Sequence, residues 1–192
     1  MFARNSRLFV ASMAFIGIVA FSCKGKVEYQ TVTVKDYSVD IPKHLVVATD
    51  LNDDASLQYQ DPIREFYVIV IDESKDDFIN TFKEIGEYDS TKTAEKNYRE
   101  VQLKSMKDHI TMKSDPVLKA AKINGLDAEI ADFTGNVEGI QSDIWYKVAF
   151  IEGPDNMYML MEWTKDSDKD KNSDEFDGVI NSFKVNKTAA AK

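Results

Sequence analysis

Three stretches of this chain lack the polar interruptions of a solvent-facing strand, and they restrict its fold more than any other feature. Phe66 to Ile71 is apolar throughout, while Ile144 to Ile151 and Met157 to Trp163 each carry a single charge, at Lys147 and Glu162. Strand-length runs of this kind have both faces covered by other elements. Gly153-Pro154-Asp155-Asn156 joins the last two runs with turn residues, which predicts an antiparallel hairpin. Asn124-Gly125, between Val117 to Ile123 and Leu126 to Phe133, is the strongest short hairpin signal in the sequence.

Three helical segments are available as the cover. Ser74-Lys75-Asp76-Asp77 has capping-box spacing, and Phe78, Phe82 and Ile85 follow at intervals of four and three. Thr91 to about Ile110 reads as a long charged helix with Ala94, Tyr98 and Val101 on one stripe. Asn172-Ser173-Asp174-Glu175 is expected to open a last helix, in which Phe176, Val179 or Ile180, and Phe183 recur at helical spacing. At the start, Val27 to Val34 is rich in β-branched residues, and Asp36 to Ile41 alternates as a half-buried strand near a sheet edge would; Leu45 to Ala48 and Ser56 to Gln60 are further short extended pieces. Strands, two helices, strands and a final helix make an α+β fold: an antiparallel β-sheet flanked by helices on both faces, an α/β/α sandwich. With 43% hydrophobic residues and only 8 Gly and 4 Pro, the composition supplies the core that such a sandwich needs.

The first 22 residues read differently. Arg4 and Arg7 precede an apolar stretch from Leu8 to Phe21, and small or reactive residues follow at Ser22-Cys23, the layout of a secretory signal. Fourteen helical residues rise only about 21 Å, short of a bilayer's hydrocarbon core of roughly 30 Å, so a lasting span is not expected. Losing Arg4 and Arg7 from the 24 basic residues leaves 22 against 33 acidic ones, a net charge of −11. Nucleic acid and anionic lipid surfaces are then poor partners. The expected organisation is a signal at 1–22, a short tether at 23–26, one domain at 27–185 and a flexible tail at 186–192.

Cys23 is the only cysteine, so no intrachain disulfide can form. Its place after Ser22 resembles the lipobox of bacterial lipoproteins, which implies lipidation at Cys23 and a membrane anchor there; ordinary cleavage after Ser22 would instead leave a free thiol. Two acyl chains, at about 0.8 kcal/mol per buried methylene, hold a protein on a bilayer. The residues that follow, Lys24-Gly25-Lys26-Val27, contain no acidic sorting signal, and the expected location is the periplasmic leaflet of the outer membrane.

Tyr37-Ser38-Val39-Asp40-Ile41-Pro42, the Trp163-Thr164 strand end and the closing Ile180-Asn181-Ser182-Phe183-Lys184 together resemble the PsbP-like fold, including the bacterial DcrB-like lipoproteins. The resemblance spans nearly all of residues 27 to 185 through short phrases. It implies an accessory or binding role, because proteins of this shape do not form a recurrent enzyme class.

Residues suited to chemistry are few. His44 follows a proline-ended strand and His109 ends a lysine-rich helical stretch; no G-x-S-x-G phrase accompanies either, and both are expected to be solvated. Carboxylates are abundant enough for a glycosidase-type pair, but no pair stands out. Asp166 to Asp177 matches a calcium loop at its first, third and fifth positions, then departs from it at Lys171 and Asp177. Trp145, Trp163 and the alternating Met157, Met159 and Met161 read either as a core face or as an adaptable apolar groove. The expected function is therefore a non-catalytic cell-envelope lipoprotein acting as an accessory module for another envelope protein, without cofactor, metal or catalytic residues. The alternatives are an envelope hydrolase with paired carboxylates and a carrier or chaperone for an apolar peptide or lipid.

Overall fold

The computed structural model describes residues 27–186; the signal, Cys23 with its tether, and residues 187–192 of the tail lie outside them. The chain begins with β1 (Tyr29–Val34), β2 (Tyr37–Pro42), β3 (Val46–Val47), β4 (Leu57–Asp61) and β5 (Phe66–Ser74). Two helices follow, α1 (Lys75–Glu84) and α2 (Ala94–Met106), then β6 (Ile110–Met112), β7 (Val117–Ile123), β8 (Leu126–Val137), β9 (Ile144–Glu152) and β10 (Asn156–Lys165). A short 3₁₀ turn at Asp166–Asp168 leads into α3 (Lys169–Ser182), and β11 (Lys184–Val185) closes the described chain.

The three apolar runs lie side by side. The main sheet has eight antiparallel strands in the order β3-β4-β5-β10-β9-β8, with β6 and β7 sharing the far side of β8. Alternate residues of the central strands feed two separate cores, as their period of two requires. On one face Phe78 of α1 and Tyr98 of α2 pack with Tyr146, Val148, Phe150, Met157 and Met159. On the other, α3 lays Phe176, Val179 and Ile180 over Val68, Val70, Trp145, Ala149 and Leu160. Helices thus cover both faces, and the α+β sandwich expected from the sequence is the fold observed.

Three local expectations are corrected. β2 is the middle strand of a separate three-stranded sheet, β1-β2-β11, which shares the α3 side of the core, so Tyr37, Val39 and Ile41 are fully buried. The alternation of its sequence signals a strand but not which sheet receives it. The second helix stops at Met106 and Ile110 opens β6, because Lys107-Asp108-His109 turns through consecutive i→i−3 bonds. α3 begins at Lys169 and carries Asn172 within its first turns, where its side chain bonds inward to Thr164. Ser74 does cap α1, accepting from the Asp77 backbone N–H, although Ile85 ends up exposed.

The Asn124-Gly125 turn joins β7 to β8 with both residues at positive φ, 48° and 90°, as a two-residue hairpin loop requires. Gly125→Ala is expected to destabilise the protein by about 1 kcal/mol, since a Cβ disfavours this backbone region. Urea denaturation would register the loss as a lower midpoint with unchanged m.

Candidate functional site

The two faces of the main sheet are covered unequally. α1 follows the end of β5 and packs with α2 over the half of the face occupied by Phe150, Met157 and Met159. The opposite half, at the start of β5 and the end of β10, has no helix over it among the described residues; Leu51, Asn52, Ile110, Val137 and Ile140 form its margins, and Tyr146 lies buried at its floor. There the register places Tyr67, Trp163, Tyr146 and Phe133 in one row across β5, β10, β9 and β8. Their rings stack in pairs: Tyr67 on Trp163 at 5.2 Å between centroids, and Phe133 on Tyr146 at 5.1 Å. Such cross-strand aromatic pairs hold one another flat against the sheet.

A groove of about 480 Å³ opens over this row, lined by Tyr67, Tyr146, Trp163, Met161, Ile144 and Ile140. The volume suits a small ligand or a few side chains. Burial pushes the Tyr146 hydroxyl up to about 12, so it stays protonated and neutral. Glu65 is the carboxylate of the groove wall, and Lys165 pairs with it at 2.9 Å. The surface is therefore apolar, aromatic and close to neutral, in a protein that is strongly acidic elsewhere. It can hold an apolar group by contact and ring stacking; it offers no apposed carboxylates for acid–base work.

This arrangement divides the methionine and tryptophan set. Trp145, Met157 and Met159 are core residues, whereas Met161 and Trp163 line the groove. Tyr67 and Tyr146 also belong to the site, and nothing in their local sequence marks them, because only strand register brings them beside Trp163.

The α3 side of the sheet holds a polar cluster. His44 is not solvated as expected: its Nδ1 lies 3.1 Å from Asp61 and its Nε2 2.7 Å from Glu175 of α3, while its ring edges onto Phe66. Arg64 donates to Glu175 Oε1 at 2.7 Å and to Asn172 at 3.1 Å. Burial works against the Asp61 carboxylate, but the backbone N–H groups of Arg64 and Ile63 and the His44 ring still hold it below the ordinary range. Both imidazole nitrogens are engaged by protein groups, so the cluster fastens the start of α3 to β4 and leaves His44 no free nitrogen for a substrate proton. His109 sits in the exposed turn after α2.

The carboxylates of the calcium-like segment diverge. Asp166 accepts from Thr134, Asp168 pairs with Lys171, and Asp177 pairs with Lys147. The helix that starts at Lys169 replaces the loop that a wrapped cation needs. Among the described residues, no group of three or more His, Cys, Asp or Glu is placed to hold a metal ion.

No protein-family profile matches the chain. No curated protein matches it either. Solved structures do share its fold. Cyanobacterial PsbP (CyanoP) from Synechocystis sp. PCC 6803 superposes with a TM-score of 0.50 at 14% identity, covering 92% of this chain and 98% of that one. The Ran-binding protein Mog1p of Saccharomyces cerevisiae gives 0.52 at 9% identity, covering 83% and 96%. At these identities the likeness is one of fold, and the fold is PsbP-like.

Proposed function

We propose that this chain is a non-catalytic cell-envelope lipoprotein that binds an apolar segment of another envelope protein in its aromatic groove. The observation that carries the binding role is the row Tyr67–Trp163–Tyr146, left uncovered by helices and walled by Met161 and Ile144. Stacked rings present a rigid apolar surface, and methionine adapts to irregular shapes, so the groove suits protruding side chains of a partner. The Arg4 to Cys23 signal, with its lipobox-like ending, supports export and a diacyl anchor at Cys23 on the periplasmic side of the outer membrane. The phrases shared with DcrB-like lipoproteins point the same way. The hydrolase reading loses support because Glu65, the carboxylate of the groove wall, is tied to Lys165.

A photoreactive residue placed at Ile140, on the groove rim and 49% exposed, tests the binding role in intact envelopes. It should trap a polypeptide, whereas the same probe at Asp170 on exposed α3 surface should not. Trp163→Ala should weaken the capture at least about tenfold, since buried aromatic anchors carry most of an interface's energy. An adduct of lipid mass alone would overturn the protein partner in favour of the carrier role. For the anchor, intact mass should show acyl chains on a chain beginning at Cys23, and Cys23→Ala should leave the membrane; a membrane-bound alanine variant refutes it.

A further inference from the structure

We propose that the outer edge of β7 is a self-association surface, pairing antiparallel with β7 of a second copy about Ala120. This inference does not depend on the groove. β7 pairs with β8 on one side and with no strand on the other among the described residues. It runs for seven residues, and Val117 and Leu118 are 71% and 45% exposed. Such an edge is a ready template for another strand.

The hairpin geometry identifies the free groups. A two-residue loop closes on a hydrogen-bonded pair, here Ile123 and Leu126, and alternate residues then bond inward. The N–H and C=O groups of Leu118, Ala120 and Lys122 therefore point outward, and outside the ladder no backbone bond reaches them among the described residues. Two copies of β7 centred on Ala120 use all of these groups: Ala120 bonds its own mate, and Leu118 bonds Lys122 of the other copy in both directions. Val117 then lies opposite Ile123, and Lys119 opposite Ala121.

Charge permits a second copy in this register, since Lys122 already pairs with Asp127 of its own chain. Lys119 and Lys122 each face an uncharged residue, and the lysine stems can lie along Leu118 and Ala121. Centring the pair on Lys119 or on Lys122 would instead set two like charges directly opposite, which is destabilising. The lysines that guard the edge against indiscriminate pairing thus leave this symmetric register open. The far edge of the sheet, β3, has only two residues and offers no comparable ladder.

Cross-linking in the full chain with Cys23→Ser tests the proposal. In an antiparallel bonded pair the Cα atoms are about 5.5 Å apart, within reach of a disulfide. Ala120→Cys should therefore give an oxidised dimer. Leu118→Cys alone should not, because its mates lie about 13 Å apart along the strand, but mixed with Lys122→Cys it should. Leu118→Lys, which sets a lysine against Lys122 on an exposed position, should raise the dimer dissociation constant about tenfold or more in sedimentation, with an unchanged thermal midpoint at concentrations dilute enough for both proteins to be monomeric. A chain that stays monomeric up to its solubility limit overturns the proposal, as does a dimer that cross-links at Leu118 alone or is indifferent to Leu118→Lys.

Discussion

Phe176→Ala is expected to lower the unfolding free energy by about 3–5 kcal/mol, the range for removing a fully buried phenylalanine. The ring is wholly inaccessible, stacked on Trp145 at 4.7 Å and 7° between planes, and tilted against Phe66 at 4.6 Å. It joins α3 to β9 and β5 at once, and neighbours set in a rigid sheet cannot collapse into the space left behind. For a chain of this size each kcal/mol shifts the thermal midpoint by about 2–4 °C, so a drop of roughly 10 °C should appear in calorimetry. Phe176→Leu should lose much less. A cost below about 1 kcal/mol for the alanine would mean that α3 is not held through this contact.

Glu162 should give the second large effect, and of opposite sign. It lies on β10 facing α3, fully buried, and among the described residues neither carboxyl oxygen has a hydrogen-bond partner. Lys147 stands opposite it in the register but pairs with Asp177. Burial raises its pKa well above the ordinary value; Lys147 pulls it down, while Asp177 and Glu175 push it further up. The folded chain therefore binds a proton that the unfolded chain releases near pH 4. The stability tied to that proton is complete below about pH 4 and drains away as pH rises towards the folded value, by at most about 1.4 kcal/mol per pH unit. Glu162→Gln should flatten this dependence and be the more stable protein at neutral pH. Parallel denaturation curves for the two proteins between pH 5 and pH 8 would show that the carboxyl is ionised in the fold.

Much of the architecture is readable before any coordinates because its determinants are local. Unbroken apolar runs mark β5, β9 and β10 as strands with both faces covered, and Asn124-Gly125 fixes the β7–β8 turn. What escapes a sequence reading is whatever depends on neighbours distant in the chain. Lys107-Asp108-His109 contains no Gly or Pro to announce the end of α2, so Ile110 reads as one more helical position. The groove is legible only in part: Met161 and Trp163 invite attention, but Tyr67 and Tyr146 join them only once β5, β10 and β9 are aligned. His44 looks solvated in sequence because its partners, Asp61 and Glu175, lie 17 and 131 residues away. Glu162 reads as an ordinary interruption of an apolar strand, although the layer above it buries the carboxyl completely, with no side chain or backbone group among the described residues to bond it.

The small sheet β1-β2-β11 brings the first and last strands of the described chain onto the two edges of β2, on the α3 side of the molecule. The described chain therefore enters and leaves on that side, whereas the aromatic row lies on the opposite face of the main sheet. A tether that joins β1 to a bilayer would start from the face away from the groove.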